Sequence, residues 1–297
     1  MIPYNVNVKM DFLSDWREFL ISQFKQFPFL KQQDYINLPL KKLSILYFNW
    51  LSRMIQPAIR KVHYSKEFSC PANLEKGLEF LTNKIRTGQD LTPHLSRKIN
   101  DITYNDGLLN VWEIHHLHLG VQEERDGFVK RDGDILYALF NENDAYLIQI
   151  MDHKSFCKQE LVRIIHRNWT EVIEPYKFSD NVSLTHSSSD KDVGLLRKAG
   201  INTVTVVDGN VVYGSIGGGI TCAGTSGMAT MLSNRYQKWI TQIEIHVHEN
   251  IECYAKSIEE TLGYSPKELS FTLEIDNEHN FYVYEKNSLI AFDIGKP

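Results

Sequence analysis

Apolar residues recur every three or four positions through the first third of the chain. Phe12, Trp16, Phe19, Leu20 and Phe24 form one such stripe between Asp11 and Phe27, the signature of a helix with one buried face. Pro28 ends it, because proline lacks an amide donor and clashes with the preceding turn. A second stripe runs from Leu38 to Arg60 through Leu43, Leu46, Tyr47, Trp50, Leu51 and Met54, and Pro57 kinks or closes it. A third helix is expected from Ala72, just after Pro71, to Ile85, with Gly88 as its stop. Together these predict a helical N-terminal bundle over residues 1–90. Its aromatic residues read as core, not as a platform for stacking bases.

The period then changes. Short helices are expected at Ser96–Ile99 and Gly107–Val111, and a strand over Glu113–Leu119 that turns at Gly120. Asp134–Phe140 and Ala145–Ile150 are strand-like runs, and the four residues Asn141–Asp144 between them predict a hairpin. Lys158–Trp169 reads as an amphipathic helix. The charged stretch Gly120–Gly133 predicts an exposed loop. This is a central small antiparallel-sheet module over residues 91–178.

A serine-rich polar stretch, 179–190, reads as a linker. Beyond it come a helix at Asp190–Ala199, a hairpin at Thr203–Tyr213, and the glycine-rich segment Gly214–Gly227. A helix around Met228–Ile240, an alternating strand at Ile243–Val247, a helix at Ile251–Leu262 and two or three antiparallel strands over Leu269–Ile294 complete the chain. The expected fold class is therefore α+β, with a mixed C-terminal α+β domain over 179–297.

Composition narrows the function classes. Hydrophobic residues are 42% and charged residues 23%, values of ordinary globular proteins. No run reaches the roughly 18 uncharged apolar residues of a membrane span, and the N-terminus lacks a signal-peptide pattern. No membrane partner is expected. The four cysteines, Cys70, Cys157, Cys222 and Cys253, form no CxxC pair, so neither a zinc knuckle nor a disulfide framework is indicated. A reducing cytoplasm is the expected location. Residues 1–90 carry 13 basic and 8 acidic side chains, whereas 91–178 carry 10 and 14. The basic third reads as a solvated helical face, with contact to a phosphate backbone as the alternative.

Candidate chemistry concentrates in the middle. Five of the 11 histidines fall between His115 and His166. In Trp112–Gly120, WEIHHLHLG, a strand places His116 and His118 on one face and His115 on the other. His153, behind Asp152, follows the hairpin. A pair of imidazoles can cleave RNA without metal, one taking the 2′-hydroxyl proton and the other protonating the departing 5′-oxygen. His116 and His118 are the base and acid, with His153 a phosphate or proton-transfer partner. Arg125, Lys130, Arg131 or Lys154 would steady the phosphorane, and Arg125, Lys130 and Lys154 are the expected substrate-binding residues. Two alternatives stay open: a metal site using His116, His118, Asp152 and His153, and a polar seam of packed histidines. His166 and Trp169 read as core, and His246 and His248 as a solvent-facing strand. The segment GSIGGGITCAGTSG lacks GxxxxGK[ST] and a well-placed GxGxxG. It reads as a mobile loop or tight backbone turns, with a nucleotide cradle as the alternative. No GxSxG element is present.

The block DGLLNVWEIHHLHLG, LYALFNENDAYLIQIMDH and LVRIIHRNW, from Asp106 through Trp169, resembles a bacterial family associated with mobile elements and phage defence. Its element order is similar to RelE-like and EndoU-like ribonuclease toxins. The resemblance implies metal-independent RNA cleavage, with His116, His118 and His153 in acid–base roles. RNA and a protein antitoxin or defence-system partner are then the expected partners, with no cofactor. The other expectations are a non-enzymatic cytoplasmic adaptor and a metal-dependent phosphoesterase. The chain departs from small toxins in its helical N-terminal domain, its mixed C-terminal domain and its acidic middle third.

Overall fold

The computed structural model describes residues 7–26, 35–131, 133–179, 182, 184–276 and 279–297. Pro28 and Phe27, Asp132 of the charged loop, and 180, 181 and 183 of the expected linker lie outside the described residues. In order, the elements are β1 (Asn7–Lys9), α1 (Phe12–Lys25), α2 (Leu40–Arg53), β2 (Lys61–Tyr64), α3 (Glu75–Arg86), α4 (Gly107–Trp112), β3 (His115–His118), β4 (Ile135–Phe140), β5 (Asp144–Met151), α5 (Glu160–Asn168), α6 (Thr170–Ile173), α7 (Asp190–Lys198), β6 (Thr205–Val206), β7 (Val212–Tyr213), α8 (Gly227–Glu249), α9 (Ile251–Leu262), β8 (Glu268–Ile275), β9 (Phe281–Glu285) and β10 (Ile290–Gly295). The class is α+β. Among the described residues no helix is long and apolar enough to cross a membrane.

The chain divides into two compact units, 48–230 and 1–47 with 231–297. The boundaries at 90 and 178 both fall inside the first of these units, where β2 pairs with β5 across position 90.

The first unit is built on a four-stranded sheet of order β2-β5-β4-β3. The β4–β5 hairpin forms as the two strand-like runs and the turn between them predict, and β3 pairs antiparallel with β4. The sheet is nevertheless mixed, not antiparallel throughout. Strand β2, from the third read as helical, pairs parallel with β5. The second helix stops at Arg53, and the backbone is extended from Lys61. Arg60 fixes this entry, with Nε donating to the Asn141 carbonyl at 2.7 Å.

Both sheet faces are covered, which is why β4 is buried at five of its six positions. One face carries Ile135, Tyr137 and Leu139 against Leu161 and Ile165 of α5. The other carries Leu136, Ala138 and Leu147 against Leu81 and Ile85 of α3. Helix α4 joins the first face through Leu108, Val111 and Trp112.

In the second unit β1 pairs parallel with β8, extending the sheet to β1-β8-β9-β10. The stripe of α1 packs within this unit, whereas α3 belongs to the other, so the expected bundle over 1–90 is divided between the two. Trp16, fully buried, stacks on Tyr236 of α8 at 5.6 Å between ring centroids. Asp15 accepts a hydrogen bond from the Leu273 amide at 2.8 Å. The strand expected at Ile243–Val247 is part of α8, so His246 and His248 lie exposed on a helix. Ile240 and Val247 are both fully buried, seven residues apart. That helical spacing outweighs the local alternation.

Gly77 tests how tightly the histidine strand is held. A Cβ built there would sit 1.7 Å from the carbonyl oxygen of Leu119, one residue past β3. Helix propensity alone would make Gly77→Ala stabilising by about 1 kcal/mol. The backbone collision makes it destabilising by about 1–3 kcal/mol. Urea denaturation decides the sign, and a stabilised variant would contradict this packing.

Candidate functional site

Asp106 starts the site. Its Oδ1 accepts from the amides of Leu108 and Leu109, at 3.0 and 3.1 Å, capping α4. Seven residues later the helix ends at Glu113, which is left-handed at φ 59°. This corner turns the chain into β3. The glycine-rich loop closes it: the Gly219 amide donates to the Asn110 carbonyl at 2.7 Å, and the Gly217 amide to that of Val111 at 3.3 Å. Those amides cap the carbonyl end of α4. They are therefore not free to cradle a phosphate.

Strand β3 presents His116 and His118 on the same face, ring centroids 6.3 Å apart. His115 points the other way, against Phe140. Register brings the third imidazole in. Ile135 of β4 pairs with His118 on one side and with Met151 on the other. His153, two residues beyond Met151, reaches a centroid distance of 5.4 Å from His118. The turn carrying it is shaped by Asp152, whose Oδ1 accepts from the Lys154 amide and from Ser155 Oγ. Tyr137 Oη donates to the Asp152 carbonyl at 3.0 Å. Phe156 stands edge-on to His116 at 5.0 Å.

The rings form a gradient from dry to wet. His118 is 3% exposed, whereas His153 is exposed. His116 lies between, its Nδ1 3.7 Å from Asp106 Oδ2. On the open edge of β3, His94 Nδ1 donates to the His118 carbonyl at 2.8 Å. That bond fixes the tautomer of His94. Burial is the largest cause holding His118 down, to about 3, and the charge of Arg131 and the other imidazoles add to it. Burial also lowers His116, with Asp106 opposing it and His153 and Arg131 reinforcing it. Both rings are neutral at pH 7 in the free protein.

The cations expected to bind substrate are arranged differently. Lys154 is exposed, next to His153. Arg125 is exposed in the turn where the Gly127 amide bonds the Glu124 carbonyl, and it has no part in the ring cluster. Lys130 lines a separate groove with Gly120 and Gln122, against Lys76 and Asn83 of α3. Arg131 takes the place assigned to them, as the cation whose charge His116 and His118 feel. Glu123 pairs with Val129 across the loop, and Arg125 and Lys130 are exposed on it.

Sequence reasoning missed Asp106, His94 and Phe156. Only Asp106 carried a signal, as an aspartate at the start of a predicted helix. His166 is held by Tyr213, its Nδ1 3.0 Å from the hydroxyl, as a core histidine would be. Asp152 is committed to its turn. Among the described residues no group of three or more His, Cys, Asp or Glu side chains is arranged to hold a metal ion. No family model, curated protein or solved structure matches the chain.

Buried neutral imidazoles make stability pH-dependent in a definite sense. Below the ordinary value of 6.5 the unfolded chain binds protons that folded His118 and His115, held near 3 and 4 by burial, do not. Stability therefore falls as pH drops from 6.5, by up to about 1.4 kcal/mol per pH unit for each ring. Denaturation midpoints at pH 7 and pH 5 should show this loss, and His118→Gln should flatten it. An unchanged slope in that variant would contradict the burial of His118.

Proposed function

We propose that this chain is a metal-independent ribonuclease acting in growth arrest or phage defence. The observation that carries the reading is the convergence of three imidazoles from two separate segments, graded from buried to exposed. His116, beside Asp106, is suited to be the base, because a carboxylate next to an imidazole favours the protonated ring it becomes. It takes the 2′-hydroxyl proton, and the 2′-oxygen attacks phosphorus. The bond to the 5′-oxygen breaks, that oxygen takes a proton from His118, and a 2′,3′-cyclic phosphate remains. Arg131 stabilises the phosphorane. Exposed His153 passes protons between solvent and His118.

A neutral His118 needs loading before it can act as an acid. The phosphate charge favours its protonated form, while burial, Arg131, His116, His153 and Arg97 oppose it. The pH profile of kcat/KM reports the free enzyme. It should therefore decline as pH rises above 6.5, toward an optimum on the acid side of an ordinary histidine pair. A plateau rising above pH 8 would contradict this assignment.

The reading places the enzyme in the cytoplasm, with an antitoxin or another defence protein as its restraint. The decisive assay incubates purified protein with an RNA oligonucleotide in EDTA. Cleavage with 2′,3′-cyclic phosphate ends is expected, with none at a 2′-deoxy position. Loss of one acid–base group is worth about 10²–10⁴-fold, so His118→Ala should fall by that factor while remaining folded. Activity restored only by added metal would favour a phosphoesterase. The burial of His118 favours a second reading, an adaptor in which the rings are polar packing. That reading expects no cleavage by the wild type and only a stability loss in His118→Ala.

A further inference from the structure

A pocket of about 520 Å³ adjoins the imidazoles, between α7 and the segment around Asp106. It falls within the range of small-molecule sites. Phe156 and Asp106 belong to both places: Phe156 packs edge-on to His116, and Asp106 faces His116 Nδ1. Helix α7 supplies Lys191, Gly194, Leu195 and Lys198, spaced to share one helix face. Gly194 keeps that face thin, with its Cβ position 3.4 Å from Cys157 Sγ.

The pocket's charge is basic. Lys191 and Lys198 are exposed. The acids of α7 are engaged elsewhere: Asp190 accepts from the Gln159 amide and side chain, and Asp192 from Ser189. Arg197 is held in place, 4.2 Å over the Trp112 ring, with Nη1 donating to the Phe156 carbonyl at 2.6 Å. Its Nε and Nη2 are buried without a partner. A guanidinium edge of two parallel donors matches a phosphate bidentately, and Arg197 lines the pocket. Asp106 is the opposing charge, and its other oxygen already caps α4. Leu195, 57% exposed, and Phe156 give the pocket an apolar wall.

We propose that this pocket binds a nucleoside phosphate, with the phosphate on Arg197 and the two lysines and the base against Leu195 and Phe156. It rests on the ribonuclease reading in one respect: the ligand would be the RNA nucleotide flanking the scissile bond.

Calorimetric titration of the full chain with adenosine 3′-monophosphate, adenosine and inorganic phosphate tests it. The nucleotide should bind at least tenfold tighter than adenosine, and Lys191→Ala with Lys198→Ala should weaken it more than tenfold. Leu195→Ser should weaken the nucleotide but not inorganic phosphate. Equal binding by wild type and the lysine double variant, or no binding, overturns the proposal. The same variants are assayed on an RNA oligonucleotide, where the double variant should raise KM more than tenfold. Nucleotide binding through the lysines without RNA cleavage overturns the ribonuclease reading and keeps the pocket. Cleavage with an unchanged KM in the double variant overturns the pocket and keeps the ribonuclease.

Discussion

One carboxylate organises the central unit. Asp106 caps α4 with one oxygen and faces His116 with the other. A helix of six residues has little stability of its own, so the cap and the buried contacts of Leu108 and Trp112 decide whether α4 forms. Its end is equally constrained. Glu113 is left-handed, a conformation costing a non-glycine residue on the order of 1–3 kcal/mol. Its amide donates to the Leu109 carbonyl at 2.7 Å, and the glycine loop secures the next carbonyls. The direction of β3, and with it the aim of His116 and His118, follows from those two ends.

The imidazoles are held at a cost. A buried ring loses its proton to desolvation, and the neighbouring Arg131 pushes the same way. Burial fixes geometry but removes the ring's charge. The rings differ in depth. His118 is dry and fixed by strand pairing, while His153 stands in solvent on a turn shaped by Asp152. Their contact joins a positioned ring to one that solvent reaches.

Much of this was legible in the sequence where the signal is local. The α1 stripe, the β4–β5 hairpin and the shared face of His116 and His118 follow from periods of 3.6 and 2. The arrival of His153 followed from the hairpin, because its length sets which residues end beside β3. What pairs across long separations was not legible. Lys61–Tyr64 and Asn7–Lys9 are four and three residues long, too short for a periodic signal, and each adds a parallel strand to a distant partner. Ile243–Val247 alternates and yet is helical, since burial at Ile240 and Val247 acts over a longer window. Arg197 lies 91 residues after Asp106 in the numbering, and only the packing of α7 brings the two to one pocket.

Charge counted along the chain also misled. Residues 91–178 hold more acids than bases, which argues against a polyanion as ligand. Many of those acids are committed within the fold. Glu124 and Asp126 both pair with Arg97, and Asp152 shapes its turn. Glu160 joins Glu67 and Asp208 around Arg167, and Asp106 caps a helix. Screening limits a charge's reach to about 8–10 Å at cellular salt. The local field around the rings and the neighbouring pocket is therefore set by Arg131, Lys154, Lys191, Arg197 and Lys198, against a carboxylate that caps α4 with one oxygen. The net charge of −5 governs the molecule at long range, and these few cations govern it at contact.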